Sequence, residues 1–230
     1  MLRRLRWCTE TILRRSIGWI FRLRPSLHVV GDSHAKFLFG GTPVFRLHYL
    51  GPVTMHRIAR DGRSALLLSD LRIHDRDVVV WCLGEIDIRC HVIPQADRQN
   101  ASVESIVRSL AERYLQSIAA IQRDAHGLRT VVLSVIPPTN QANNEEYPIA
   151  GSLTARIAAR RLLNRALEEG CRVRGFLFLD PFESFENTEG ALREDMSDGN
   201  VHCGPTCAPI VVRRVNAECA PWLAGERPGG

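Results

Sequence analysis

Apolar and polar positions alternate along this chain in blocks of two kinds. Short continuous apolar runs recur, as in Leu27–Val30 and Val78-Val79-Val80-Trp81-Cys82-Leu83. Runs like these suit strands buried on both faces. Between them lie longer stretches with apolar residues at helical spacing. Ser102–Ala125 carries Val103, Ile106, Val107, Leu110, Leu115, Ile118 and Ile121, and Thr154–Gly170 is a second such stretch. The pattern predicts strands at Leu27–Val30, Pro43–Leu50, Asp77–Leu83, Arg129–Ile136 and Phe176–Leu179. Pro137-Pro138 stops the fourth strand and Asp180-Pro181 the fifth. Gly170 is the expected carboxyl cap of its helix, and residues 205–223 supply a closing helix. Strands separated by helices predict an α/β fold, three-layer α/β/α, around a mainly parallel five-stranded sheet.

In such sheets, sites form beyond the carboxyl ends of the strands. Gly31-Asp32-Ser33 sits at the end of the first strand, with His34 next. Its other reading is a strand-ending turn with a helix cap. A serine hydroxyl placed near a helix start has unpaired N–H groups beside it that favour an oxyanion. It still needs a base and an acid to orient that base. Ser197-Asp198-Gly199-Asn200-Val201-His202, after the last strand, offers Asp198 and His202, with Asp195 as a fallback orienter. The stretch Gly84-Glu85-Ile86-Asp87-Ile88-Arg89-Cys90-His91 is unusually polar for a loop leaving a buried strand.

These blocks resemble the SGNH, or GDSL-like, hydrolases over roughly residues 27 to 203. The resemblance implies a Ser33 nucleophile whose own N–H, with that of Gly51 after the second strand, receives the oxyanion. Gly62 is the alternative to Gly51. The third block of that family is usually Gly-x-Asn-Asp. Here it reads Gly84-Glu85-Ile86-Asp87, so Ile86 stands where an oxyanion-binding asparagine is expected. The last block is usually Asp-x-x-His. Asp198 and His202 have one residue too many between them, which a bulge would absorb. Ile86 donates no hydrogen bond, so Arg89 or His91 is the candidate replacement, with Glu85 or Asp87 orienting it. Asp32 and His34 flank the nucleophile, His34 as a capping residue or a substrate contact. The implied activity is hydrolysis of a small-molecule O-acyl ester, a glycan ester among the candidates. Transfer of the acyl group to a sugar would use the same acyl-enzyme, and a noncatalytic scaffold is the opposing reading.

Charge adds one qualification. The chain of 230 residues carries a net charge of +5. Residues 1–24 hold seven arginines and Glu10, which is +6, leaving −1 for the rest. A nucleic-acid surface on residues 25–224 is therefore not expected. On a helix, Leu2, Leu5, Ile12, Leu13, Trp19, Ile20 and Leu23 share an arc of about 120°. Such a helix would rest on an anionic membrane surface or pack on protein. Arg14 and Arg15 interrupt any apolar core of a signal peptide, and a bilayer span needs roughly 20 apolar residues. Residues 225–230 are expected to fray.

Seven cysteines, several within apolar runs, suit free thiols in a reducing, cytoplasmic setting, with association at the inner membrane face left open by the basic leader. His202, Cys203 and Cys207 lack a second pair at zinc spacing, so no metal is expected. No dinucleotide fingerprint or phosphate loop is present, so no cofactor is implied.

Overall fold

The computed structural model describes residues 25–224 apart from 65, 69, 124 and 141–147. The basic leader, the tail and most of the loop after Pro137-Pro138 lie outside the described residues. Among those described, no helix is long and apolar enough to cross a membrane.

Five strands form one sheet: β1 (Leu27–Gly31), β2 (Arg46–Tyr49), β3 (Val78–Cys82), β4 (Arg129–Leu133) and β5 (Leu177–Leu179). Their order is β2-β1-β3-β4-β5, and every pairing is parallel. The central strands are apolar throughout because both faces are covered. Val79 and Trp81 of β3 face one layer, made of α2 (Met55–Asp61), α4 (Val103–Ile121) and α5 (Leu153–Arg174). Val78, Val80 and Cys82 face the other, made of α1 (Ser33–Phe39) and α6 (Cys207–Leu223). This is the three-layer α/β/α arrangement that the pattern predicts.

Several boundaries differ from expectation, each for a local reason. β4 stops at Leu133, not Ile136, because its partner β5 is only three residues long. α4 ends at Ile121, not Ala125. Its carboxyl cap, Gln122, turns aside to accept a hydrogen bond from the Thr130 hydroxyl. α5 runs through Gly170 to Arg174, and Gly175, at φ +66°, is the cap instead. Gly170 serves packing: a Cβ there would lie 2.5 Å from Leu115 Cδ1, so glycine lets α4 and α5 approach closely.

The largest correction concerns residues 84–99. No loop leaves β3 here. After Gly84 the chain enters a wide helical turn, Asp87–His91, whose Val92 N–H reaches back to the Asp87 carbonyl, and continues as α3 (Val92–Gln99). Wide turns of this kind arise where a helix absorbs an extra residue, frequently at functional sites. Gly84 itself has φ +116°, and a Cβ there would meet Met55 Cε at 2.7 Å and Val135 Cγ2 at 2.8 Å.

Candidate active site

β1 delivers Ser33. Gly31 ends the strand with no room for a side chain: a Cβ would sit 2.3 Å from the Cys82 carbonyl oxygen. Asp32 then caps α1, its Oδ1 accepting the His34 N–H at 2.9 Å. Ser33 becomes the first helical residue. The Leu50 N–H donates to the Gly31 carbonyl at 2.9 Å, which brings the end of β2 alongside. Gly51 follows at φ +74° with open space where a side chain would be. Gly62 is instead the carboxyl cap of α2, so it does not follow a strand.

His202 comes from the far end of the chain. Its Nε2 lies 3.0 Å from Ser33 Oγ, and its Nδ1 lies 3.2 Å from Asp198 Oδ2. The extra residue between Asp198 and His202 is taken up by a tight turn. Ser197 and Cys203 pair across it, the Asp198 N–H donates to the His202 carbonyl, and Gly199 adopts φ +83°. Asp198 Oδ1 accepts from the N–H groups of Asn200 and His202, which leaves Oδ2 to face the ring. Asp195 pairs with Arg193 and takes no part.

The His202 ring rests on α1. Its centroid is 4.7 Å from that of His34 and 4.3 Å from that of Phe37. His34 and Phe37 are three residues apart, so both project from the same face of α1 as neighbours. Phe37 is 54% exposed and forms the outer side; His34 is buried beneath.

A chain of buried ionisable groups continues inward from His34. Its Nε2 lies 3.1 Å from Glu85 Oε2. Arg89 Nε donates to Glu85 Oε1 at 2.7 Å, and Arg89 Nη2 donates to Oε2 at 3.2 Å. The helical path after Gly84 sets this up, because residues 85 and 89 stand one turn apart. All three side chains are under 10% exposed. Burial pushes the Glu85 carboxyl up, but the His34 and Arg89 contacts outweigh it and bring its pKa down to about 2. Burial opposes charge on His34, yet Asp32 and Glu85 raise its pKa. Burial raises Asp32 to about 6. For His202, burial and the charge of His34 lower the pKa, against the pull of Asp198.

The remaining candidates separate from this group. Asp87 accepts from the N–H groups of Met55 at 2.8 Å and His56 at 3.1 Å, so it caps α2 rather than orienting Arg89. Glu85 holds Arg89 instead. His91 is exposed, and the charges around it are His56, Arg98 and Arg89. The cap at α1 is Asp32, and the His34 ring belongs to the site. Ile86, 4% exposed, is core. The pairing of His34 with Glu85 escaped the sequence, where 51 residues separate them. The signal available was two ionisable residues, each directly after a strand-ending glycine block, on neighbouring strands. A cavity of about 10 Å³, room for roughly one water, is lined by Asp32, His34, Glu85 and Ser134 among others. Among the described residues, no group of three His, Cys, Asp or Glu is gathered as a metal site.

This fold, with its strand-end serine, is that of the SGNH, or GDSL-like, hydrolases. No protein-family model matches the sequence, and no curated protein is found as a relative. Solved structures do match. A GDSL-like lipase from Bacteroides thetaiotaomicron is 13% identical with a TM-score of 0.57, over 85% of this chain and 87% of that one. A carbohydrate acetylesterase from Sinorhizobium meliloti is 11% identical with a TM-score of 0.55, over 86% and 99%. Phospholipase A1 from Streptomyces albidoflavus is 15% identical with a TM-score of 0.51, over 83% and 99%. At these identities the likeness is one of fold.

Proposed function

We propose that this protein is a serine hydrolase of O-acyl esters. The observation that carries the reading is the unbroken contact from Ser33 Oγ to His202 Nε2 at 3.0 Å and from His202 Nδ1 to Asp198 Oδ2 at 3.2 Å. Both distances suit a nucleophile, its base and an orienting acid. Ser33 Oγ attacks the acyl carbon while His202 takes its proton. The same imidazolium returns the proton to the leaving alcohol, and water then hydrolyses the acyl-enzyme by the same exchange. Asp198 holds the ring and stabilises its charge. The N–H groups of Ser33 and Gly51 receive the oxyanion.

The substrate class in this reading is a small polar ester, with acylated glycans first. Two observations support that choice. The cavity under the site is small and lined by the polar groups of Asp32, His34, Glu85 and Ser134, which suits a short acyl group better than a long one. On the open side, exposed Phe37 offers an aromatic face beside His202 for a sugar ring. Transfer of the acyl group to a sugar hydroxyl instead of water uses the same steps.

Labelling with a fluorophosphonate probe tests the reading. The intact protein is expected to label, Ser33→Ala not at all, and His202→Ala far more slowly. Release of acetate from acetylated sugars follows as the substrate screen. A folded protein that does not react, while a small organophosphate of the same reactivity also fails, would favour a scaffold that keeps the fold. Ile86 is the observation on that side, since an apolar side chain there removes an oxyanion donor, a loss of about 2.7–4 kcal/mol in the transition state.

A further inference from the structure

We propose that His34 is a positioning residue for His202. It is a buried imidazolium, clamped through Glu85 by Arg89, whose ring supports the base and whose charge keeps that base unprotonated. Three geometric observations carry this. The two imidazole rings lie 4.7 Å apart and tilted by 47°. The His34 Nε2 is committed to a carboxylate at 3.1 Å inside the protein. That carboxylate is itself gripped by two nitrogens of Arg89, so it has no freedom to turn away.

The charges that face this pair come from four elements. α1 and its cap bring His34 and Asp32. The turn after β3 brings Glu85 and Arg89. The 197–203 turn brings Asp198, which favours protonation of His202. α5 brings Arg156, which faces Glu85 and Arg89 from the other side. Glu85 also draws a proton toward His202, but less than His34 repels one. The net effect of removing the His34 charge is therefore an upward shift of the His202 midpoint.

The size follows from distance. A unit charge about 5 Å away shifts a titration by roughly 2.6 pH units at an effective dielectric of 20 and roughly 0.6 in water. The His202 side chain is 16% exposed. A shift of about 1 unit is expected, between those limits. The catalytic consequence rests on the serine-hydrolase reading: a base kept neutral at mildly acidic pH loses less activity there. The electrostatic coupling itself does not depend on that reading.

The test is an NMR titration of the imidazole nitrogens in the full chain, paired with the pH profile of fluorophosphonate labelling. In the wild type, His34 is expected to hold its proton throughout the range in which His202 titrates. A His34 that is neutral in that range overturns the proposal, and this arm needs no variant. In His34→Gln, the His202 midpoint is expected to rise by about 1 unit, and the acid limb of labelling with it. One unit below the new midpoint, labelling would then be about fivefold slower relative to wild type, tending to about tenfold at lower pH. An unchanged midpoint in folded His34→Gln overturns the proposal as well. If the midpoint moves but no variant or wild-type protein labels, the hydrolase reading fails and the coupling stands.

Discussion

Glu85 joins buried His34 to buried Arg89, so its removal gives the sharpest test of how the site is held. Its pKa is brought from 4.5 to about 2 in the folded protein. That difference of about 2.5 units corresponds to roughly 3 kcal/mol of stability at neutral pH. The folded value lies below the unfolded one. The contribution is therefore present above pH 4.5 and lost as pH falls through about 2. Glu85→Ala leaves Arg89 buried beside His34 without their shared carboxylate, and breaking a buried pair in this way costs about 3–5 kcal/mol. His34 relieves part of that by losing its proton, which places the expectation near 3 kcal/mol. Urea unfolding at pH 7 would read the loss as a lower midpoint at an unchanged slope. Repeated at pH 3, the gap between wild type and variant should shrink to about 1 kcal/mol. A loss below about 1 kcal/mol at pH 7, or one that does not shrink with pH, would refute the clamp.

Three further outcomes are expected. Asp198→Asn should slow fluorophosphonate labelling by about 10²–10⁴, since the amide favours the wrong ring tautomer; a rate within twofold of wild type would remove Asp198 from the mechanism. Gly31→Ala should cost about 1–3 kcal/mol or more in urea unfolding, because the obstacle 2.3 Å away is the backbone oxygen of Cys82 and cannot rotate aside. Asp87 has its pKa raised by burial to about 7, so it contributes stability below pH 3.8 that is lost as pH rises through 7. Asp87→Asn should flatten that slope, and the variant should gain on wild type between pH 5 and pH 8. Parallel stability curves over that interval would count against the buried carboxyl.

The sheet and its layers were legible because continuous apolar runs have few alternatives once Pro137-Pro138 and Asp180-Pro181 punctuate them. That Ser33, Asp198 and His202 come together was legible from order and spacing, although the spacing of the last two departs from the family pattern. A turn through Gly199, at φ +83°, absorbs that departure. Residues 84–91 were misread for a physical reason. Their charges suggested solvent, but Glu85, Asp87 and Arg89 are buried and satisfied by one another or by backbone N–H groups. Polarity signals exposure only when partners are absent, and the partners of Asp87 and Glu85 that lie about 30 and 50 residues away leave no mark on local pattern. Gly170 misled in the same way: a glycine near a helix end suggests a cap, but here it records the approach of a second helix.

The apolar Ile86 looks different once its neighbours are known. Position 86 is where the chain turns helical, and its side chain goes into the core. The position before it, Glu85, is the one that reaches the site. A carboxylate there has no hydrogen to offer an oxyanion; it accepts from Arg89 and faces the His34 ring instead. One of its partners is His34, directly after the proposed nucleophile, and His34 touches the His202 ring. On the proposed mechanism, polar function at this strand end has thus moved from the acyl oxygen to the proton-transfer side. Such an arrangement relies on backbone N–H groups for the oxyanion and on a tuned imidazole for the proton. It should favour substrates whose leaving alcohol needs prompt protonation over those whose carbonyl needs strong polarisation. Comparing aryl acetates, whose leaving groups need no proton, with alkyl or sugar acetates in wild type and His34→Gln would expose this. A His34→Gln variant that lost equally on both would argue that the His34–Glu85–Arg89 chain is scaffolding for α1 and nothing more.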